Sequence, residues 1–130
     1  MIMASPPDLT STVRVLIVDD EPDLRLLMRT MLDLDHRIDI IGEAADGGEA
    51  LERFAELRPD LVLLDLRMPV MNGLEVAQRI LQDHPDQRIL LFTAFLDPRL
   101  AAEAAALGIS GVLGKGDLDT LTAEILRLSD

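Results

Sequence analysis

The sequence predicts a doubly wound α/β sandwich, (βα)5, on a five-stranded parallel sheet, and three observations lead there. Five short apolar runs recur along the chain, and each ends in polar or turn-forming residues. Each is followed by a stretch with the three-four apolar spacing of a helix. Three of the runs are apolar almost throughout, as expected of strands covered on both faces, and parallel neighbours need a helical crossover of about this length.

Residues 1–12 are rich in Ser, Thr and Pro without periodicity and are expected to form a disordered leader, with one domain over 13–128. Val13 to Val18 is the first strand, ending in Asp19-Asp20-Glu21. Pro22 suits the first turn of a helix, where its missing N–H costs nothing. Leu24, Leu27, Met28, Met31 and Leu32 mark that helix's inner face. Ile38 to Glu43 alternates more and reads as an edge strand. Asp46-Gly47-Gly48 is expected to be a turn, before a helix with Ala50, Leu51, Phe54 and Leu57 inward. Leu61 to Leu64 is the third strand, ending at Asp65. A helix from about Gly73 to Asp83 follows, stopped by His84-Pro85-Asp86.

Arg88 to Phe92 is the fourth strand and ends at Thr93-Ala94. Asp97-Pro98 caps an alanine-rich helix that Gly108 closes. Ile109 to Leu113 is the fifth strand, ending in Gly114-Lys115-Gly116. Asp117 or Asp119 is then expected to cap a last helix with Leu118, Leu121, Ile125 and Leu128 on one side. The first, third and fourth runs are the most apolar and so central, and the second is an edge. A flavodoxin-like order, 2-1-3-4-5, satisfies this with right-handed crossovers. It places the ligand crevice between strands 1 and 3, where Asp19, Asp20 and Asp65 would meet.

Composition narrows the function. A chain of 130 residues with 48% hydrophobic content is one domain with one sizeable core. The absence of cysteine rules out disulfides and thiolate metal sites and agrees with a cytoplasmic location. No apolar run approaches the ~18 residues of a membrane span. The net charge of -12 argues against nucleic acid as a partner of the domain's general surface. Of the twelve basic residues eleven are arginine, and Lys115 is the only lysine. A site that needs a compact, flexible ammonium does not accept a guanidinium fork in its place.

A strand-end aspartate is by itself an ordinary turn residue. Here it has company: acids, a hydroxyl and the only lysine stand at the ends of strands 1, 3, 4 and 5. Two carboxylates ~5 Å apart repel by roughly 3 kcal/mol at an effective dielectric of ~20, so a proton or a cation must offset the group. An all-oxygen cluster open to solvent suits a hard divalent ion that keeps several waters, Mg2+ better than Ca2+. A carboxylate can also attack phosphorus, a reaction that needs a metal and a placed cation more than an acid or base. Asp65 is the candidate nucleophile, with Lys115 and Thr93 reaching the phosphoryl oxygens.

Val18-Asp19-Asp20-Glu21-Pro22, Leu64 through Gly73 (LDLRMPVMNG), Thr93-Ala94 and Gly111-Val112-Leu113-Gly114-Lys115 together resemble the receiver domain of two-component response regulators, over roughly residues 13 to 128. The resemblance implies that Asp65 is the phosphoacceptor. It implies that Mg2+ is held by Asp19, Asp20, Asp65 and the backbone carbonyl of Arg67, Asp19 largely through water. Thr93 would be the switch hydroxyl and Lys115 the phosphate-pairing lysine. The implied donor is a sensor histidine kinase or phosphotransfer protein, and the implied output is contact with another protein, with a homodimer also open. A domain of this kind is not an enzyme beyond gaining and losing its own phosphoryl group.

Two positions depart from the family pattern. Val112 stands where a Tyr or Phe usually swings inward, so the threonine-aromatic coupling lacks its ring. Gly116 follows the lysine in place of a frequent proline, a variant closer to receivers that carry a LuxR-type DNA-binding domain. With no such domain following, a stand-alone receiver and an excised domain both fit. The alternative reading is a phosphorylation-independent interaction module that keeps the fold. A magnesium phosphohydrolase would want an aspartate at position 67, and neither common nucleotide-binding glycine motif occurs.

Overall fold

The computed structural model describes residues 12–130, so the leader expected over residues 1–12 lies, Thr12 apart, outside the described residues. Strands β1 (Val13–Val18), β2 (Ile38–Ala44), β3 (Leu61–Leu64), β4 (Arg88–Thr93) and β5 (Gly111–Gly114) alternate with helices α1 (Pro22–Leu32), α2 (Gly47–Leu57), α3 (Gly73–Asp83), α4 (Pro98–Leu107) and α5 (Leu121–Leu128). All pairings are parallel and the order is β2-β1-β3-β4-β5, as the apolar pattern predicts. All four residues of β3 are buried at the centre of the sheet. Each leucine there stabilises the fold by about 2 kcal/mol.

Alternation along each strand splits the core in two. Leu16, Val18, Val62, Leu64, Ile89 and Leu91 pack with α2, α3 and α4. Val15, Ile17, Leu61, Leu63, Leu90 and Phe92 pack with α1 and α5. α1 buries a narrower stripe than its spacing suggests. Met28 and Leu32 are buried, but Leu27, expected inward, flanks that stripe and is 47% exposed.

The helix ends follow their capping chemistry, with three corrections. Asp46 does not belong to a separate turn: it caps α2 by accepting from Glu49 N, so Gly47 and Gly48 open the helix. β5 starts at Gly111 and not at Ile109. Gly108 has φ 92°, its N–H bonds Ala105 O, and Ile109 N bonds Ala104 O, a Schellman closure that uses the backbone of Ile109 for α4. Neither Asp117 nor Asp119 caps α5. A 3-10 segment, Lys115–Thr120, precedes that helix, whose N-cap Thr120 turns its hydroxyl back to Asp117 O. Elsewhere Asp97 caps α4 ahead of Pro98, and Asn72 and Glu75 form a reciprocal capping box on α3.

The segment between β3 and α3 is tightly wound. Met71 N bonds Pro69 O at 2.7 Å around Val70, whose φ is 70°. That is the rare, strained form of γ-turn, occupied here by a fully exposed β-branched residue. Two glycines let neighbouring chain pass this close. A Cβ on Gly47 would stand 2.8 Å from Met71 Cβ, and one on Gly73 would strike the backbone carbonyl of Asp65.

Candidate functional site

Strand register brings the acids together. Asp19 N bonds Ala44 O at 3.0 Å and Asp65 N bonds Val18 O at 2.9 Å, so both residues extend the ladder at the carboxyl ends of adjacent strands. Gly114 pairs with Thr93 at the end of β4, and Lys115 follows it directly. Its ammonium lies 2.9 Å from Asp19 Oδ2 and 3.1 Å from Asp65 Oδ1. Asp19, Asp65 and Thr93 are buried, and Asp20 is half-buried. The topological switch point thus holds Asp19, Asp65 and Lys115 in one constellation.

Among the described residues Asp19, Asp20 and Glu21 can each offer an oxygen within 4.8 Å of the others. Glu21 N also donates to Asp19 Oδ1 at 2.9 Å, which folds the three into a compact turn. Hard oxygen donors at the mouth of a crevice fit a divalent cation that keeps part of its water.

Electrostatics mark Asp65 out. Burial is the main reason its carboxyl is pushed up to about 6, and the Asp19 charge adds to the rise; Lys115 opposes it and Asp20 reinforces it. For Lys115, burial works against the ammonium, but the bond to Asp19 and the charges of Asp19 and Asp65 outweigh it and raise its pKa. An acid whose pKa is raised on folding holds its proton more tightly in the folded chain. Its contribution to stability is full below the unfolded value of 3.8 and is lost as pH rises through about 6. In metal-free buffer, Asp65→Asn is therefore expected to gain stability over the parent as pH rises through that window. The gain is on the order of 1–2 kcal/mol after allowing for solvent screening at the open crevice. Urea unfolding with chelator at pH 4 to 8 checks it, and a difference that stays flat across pH would remove the electrostatic argument.

Other residues hold this arrangement in place. Arg25 on α1 donates to the backbone carbonyl of Asp19 at 2.6 Å and pairs with Glu43 of β2 at 3.1 Å, while Arg29 takes the other oxygen of Glu43 at 2.6 Å. Sequence reasoning missed this brace, although Arg25 lies one helical turn after Glu21. Thr93 Oγ1 accepts from Phe95 N at 3.1 Å. The Phe95 ring lies beneath the Arg67 guanidinium, 3.8 Å from its carbon, in a cation–π contact between the segments after β3 and after β4. Phe95 was also missed, although the chain has only three aromatic residues.

Residues 15–126 match the response regulator receiver domain. The chain belongs to that family. It is 38% identical to the transcriptional regulatory protein LnrK of Bacillus subtilis over 117 residues, which is 89% of this chain and 53% of LnrK, so it spans about half of that relative's length. The signal receiver domain of the response regulator NarL from Mycobacterium tuberculosis superposes with a TM-score of 0.86 at 33% identity, covering 92% of this chain and 97% of that one. A LuxR-family two-component response regulator from Aurantimonas gives 0.88 at 34% identity, over 92% and 86%.

In this receiver domain Val112 is half-buried in β5 and packs against the larger of the two core clusters. Gly116 lies in the 3-10 segment with nothing within 4 Å of a Cβ built on it. Among the described residues no helix is long and apolar enough to cross a membrane.

Proposed function

We propose that this receiver domain accepts a phosphoryl group on Asp65, from a sensor histidine kinase or phosphotransfer protein, and signals by a change of protein contacts. The observation that carries the reading is the ammonium of Lys115, within 3.1 Å of the Asp65 carboxylate and 2.9 Å of Asp19. In the transfer, an oxygen of the ionised Asp65 carboxylate forms the bond to phosphorus as the phosphorus–nitrogen bond of the donor imidazole breaks, the electron pair staying on the ring nitrogen, which takes any proton it needs from solvent. Mg2+, once bound, would neutralise the spreading charge of the transferred group. Asp19, Asp20, Asp65 and the carbonyl of Arg67 are its proposed ligands, and the position of Glu21 adds a further oxygen.

Lys115 pairs with one phosphoryl oxygen, and Thr93, whose hydroxyl proton has no acceptor among the described residues, donates to another. Ala94 beside it is small and exposed and leaves room for the group. The domain then rests as a two-state equilibrium in which the phosphoryl group favours the state that bonds it best. The net charge of -12 favours a protein partner over nucleic acid for this domain, and cytoplasmic placement follows from the kinase as donor.

Acetyl phosphate with Mg2+ is expected to add one phosphoryl group per chain, labile to base and to hydroxylamine, and chelation of the metal to abolish the gain. Intact-mass spectrometry reads both. No mass gain with Mg2+ present favours the alternative, a receiver fold that binds its partner without being phosphorylated, for which the missing ring at position 112 is the supporting observation.

A further inference from the structure

Resting on the phosphoacceptor reading, we propose that Phe95 is the positioning residue of the Thr93 hydroxyl, itself held by Arg67, and that it carries the coupling for which position 112 offers no ring. The Thr93 hydroxyl makes one hydrogen bond among the described residues, as acceptor of Phe95 N at 3.1 Å. That bond sets the rotamer of a side chain that is otherwise buried. The Phe95 ring is 53% exposed, so core packing does not hold it; the guanidinium of Arg67 does, at 3.8 Å. Arg67 stands two residues beyond Asp65, and Phe95 two beyond Thr93. The β3–β4 ladder joins the inner ends of these two connections, and the stacked pair joins their outer ends.

This closed circuit has one weak link at the site. A group on Asp65 that draws the Thr93 oxygen toward itself takes the acceptor away from Phe95 N. A half-buried N–H left without a partner is costly, so residues 94–97 shift to find another and the ring leaves Arg67. Val112 has a short branched side chain already packed in the core and cannot report such a movement. The coupling is reciprocal: whatever loosens the ring eases the turn of the hydroxyl.

The chain has no tryptophan or tyrosine, so Phe95→Trp supplies a single fluorophore. With Mg2+, beryllofluoride is the probe, its binding followed separately by fluorine NMR. On binding, the tryptophan emission is expected to move to longer wavelength and its acrylamide quenching to rise by about twofold or more, as a stack of this strength is released. Adding Thr93→Val removes the acceptor and is expected to give the shifted emission before any beryllofluoride is present; Thr93→Ser keeps the parent response. The proposal is overturned by bound fluorine resonances with unmoved emission, or by a Thr93→Val spectrum equal to the resting parent. An absence of bound fluorine resonances in the unaltered chain defeats the phosphoacceptor reading itself, and this proposal with it.

Discussion

Asp65→Asn is expected to take up no phosphoryl group from acetyl phosphate and Mg2+ under conditions that fully label the parent chain. The amide keeps the shape of the carboxylate but offers no anionic oxygen to attack phosphorus. The neighbouring acids are poor substitutes. Asp19 is buried, with one oxygen accepting from Glu21 N and the other holding Lys115, so neither is free to act as a nucleophile. Misfolding is separated from loss of the nucleophile by the same urea series, in which this substitution is expected to leave the metal-free fold at least as stable as the parent at neutral pH. Intact mass gives the stoichiometry and peptide mapping the residue. Full labelling of the asparagine variant would move the reactive carboxylate elsewhere and end the assignment.

The second large effect concerns a residue with no reactive group. Gly73→Ala is expected to destabilise the fold by about 3 kcal/mol, since overpacking against backbone has no soft side chain to absorb it. A Cβ on Gly73 would press on the backbone oxygen of Asp65 and come within 3.0 Å of Leu66 Cα. Gly73 N also donates to Leu66 O at 2.7 Å, so helix α3 begins in direct contact with the end of β3. Relief can come only from moving α3 or the strand end that carries Asp65. Phosphoryl uptake should therefore fall together with the urea midpoint. Gly116→Ala is the control: it adds its methyl to open space, and its midpoint should stay near that of the parent. A Gly73→Ala protein with parental stability would mean that the two segments do not meet as described.

Much of this arrangement was legible from the sequence because the strands are short and buried on both faces. Four consecutive apolar residues before Asp65 admit one reading, and uniform apolarity in β1, β3 and β4 placed them at the centre of the sheet. Strand ends then carried Asp19, Asp65, Thr93 and Lys115 to one edge without further assumptions. What stayed hidden depends on backbone detail or on partners far along the chain. The Schellman closure after α4 uses the backbone of Ile109, which its apolar side chain does not reveal. Asp117 and Asp119 look like caps, yet Thr120 ends the 3-10 segment before either can serve α5. Glu21 joins the acids through a turn, Arg25 reaches the Asp19 carbonyl from one helical turn away, and the Arg67 side chain finds Phe95 across 28 positions.

The double ion pair of Lys115 also bears on the proposed uptake of a cation at this crevice. With an ammonium shared between Asp19 and Asp65, the resting domain supplies its own counter-ion, which opposes the rise that burial and the Asp19 charge impose on Asp65 without cancelling it. A divalent cation bound by these carboxylates would compete with that ammonium, so its affinity would be a difference between two attractions. Lengthening or shortening the tether of that ammonium would then tune metal occupancy without altering a single carboxylate.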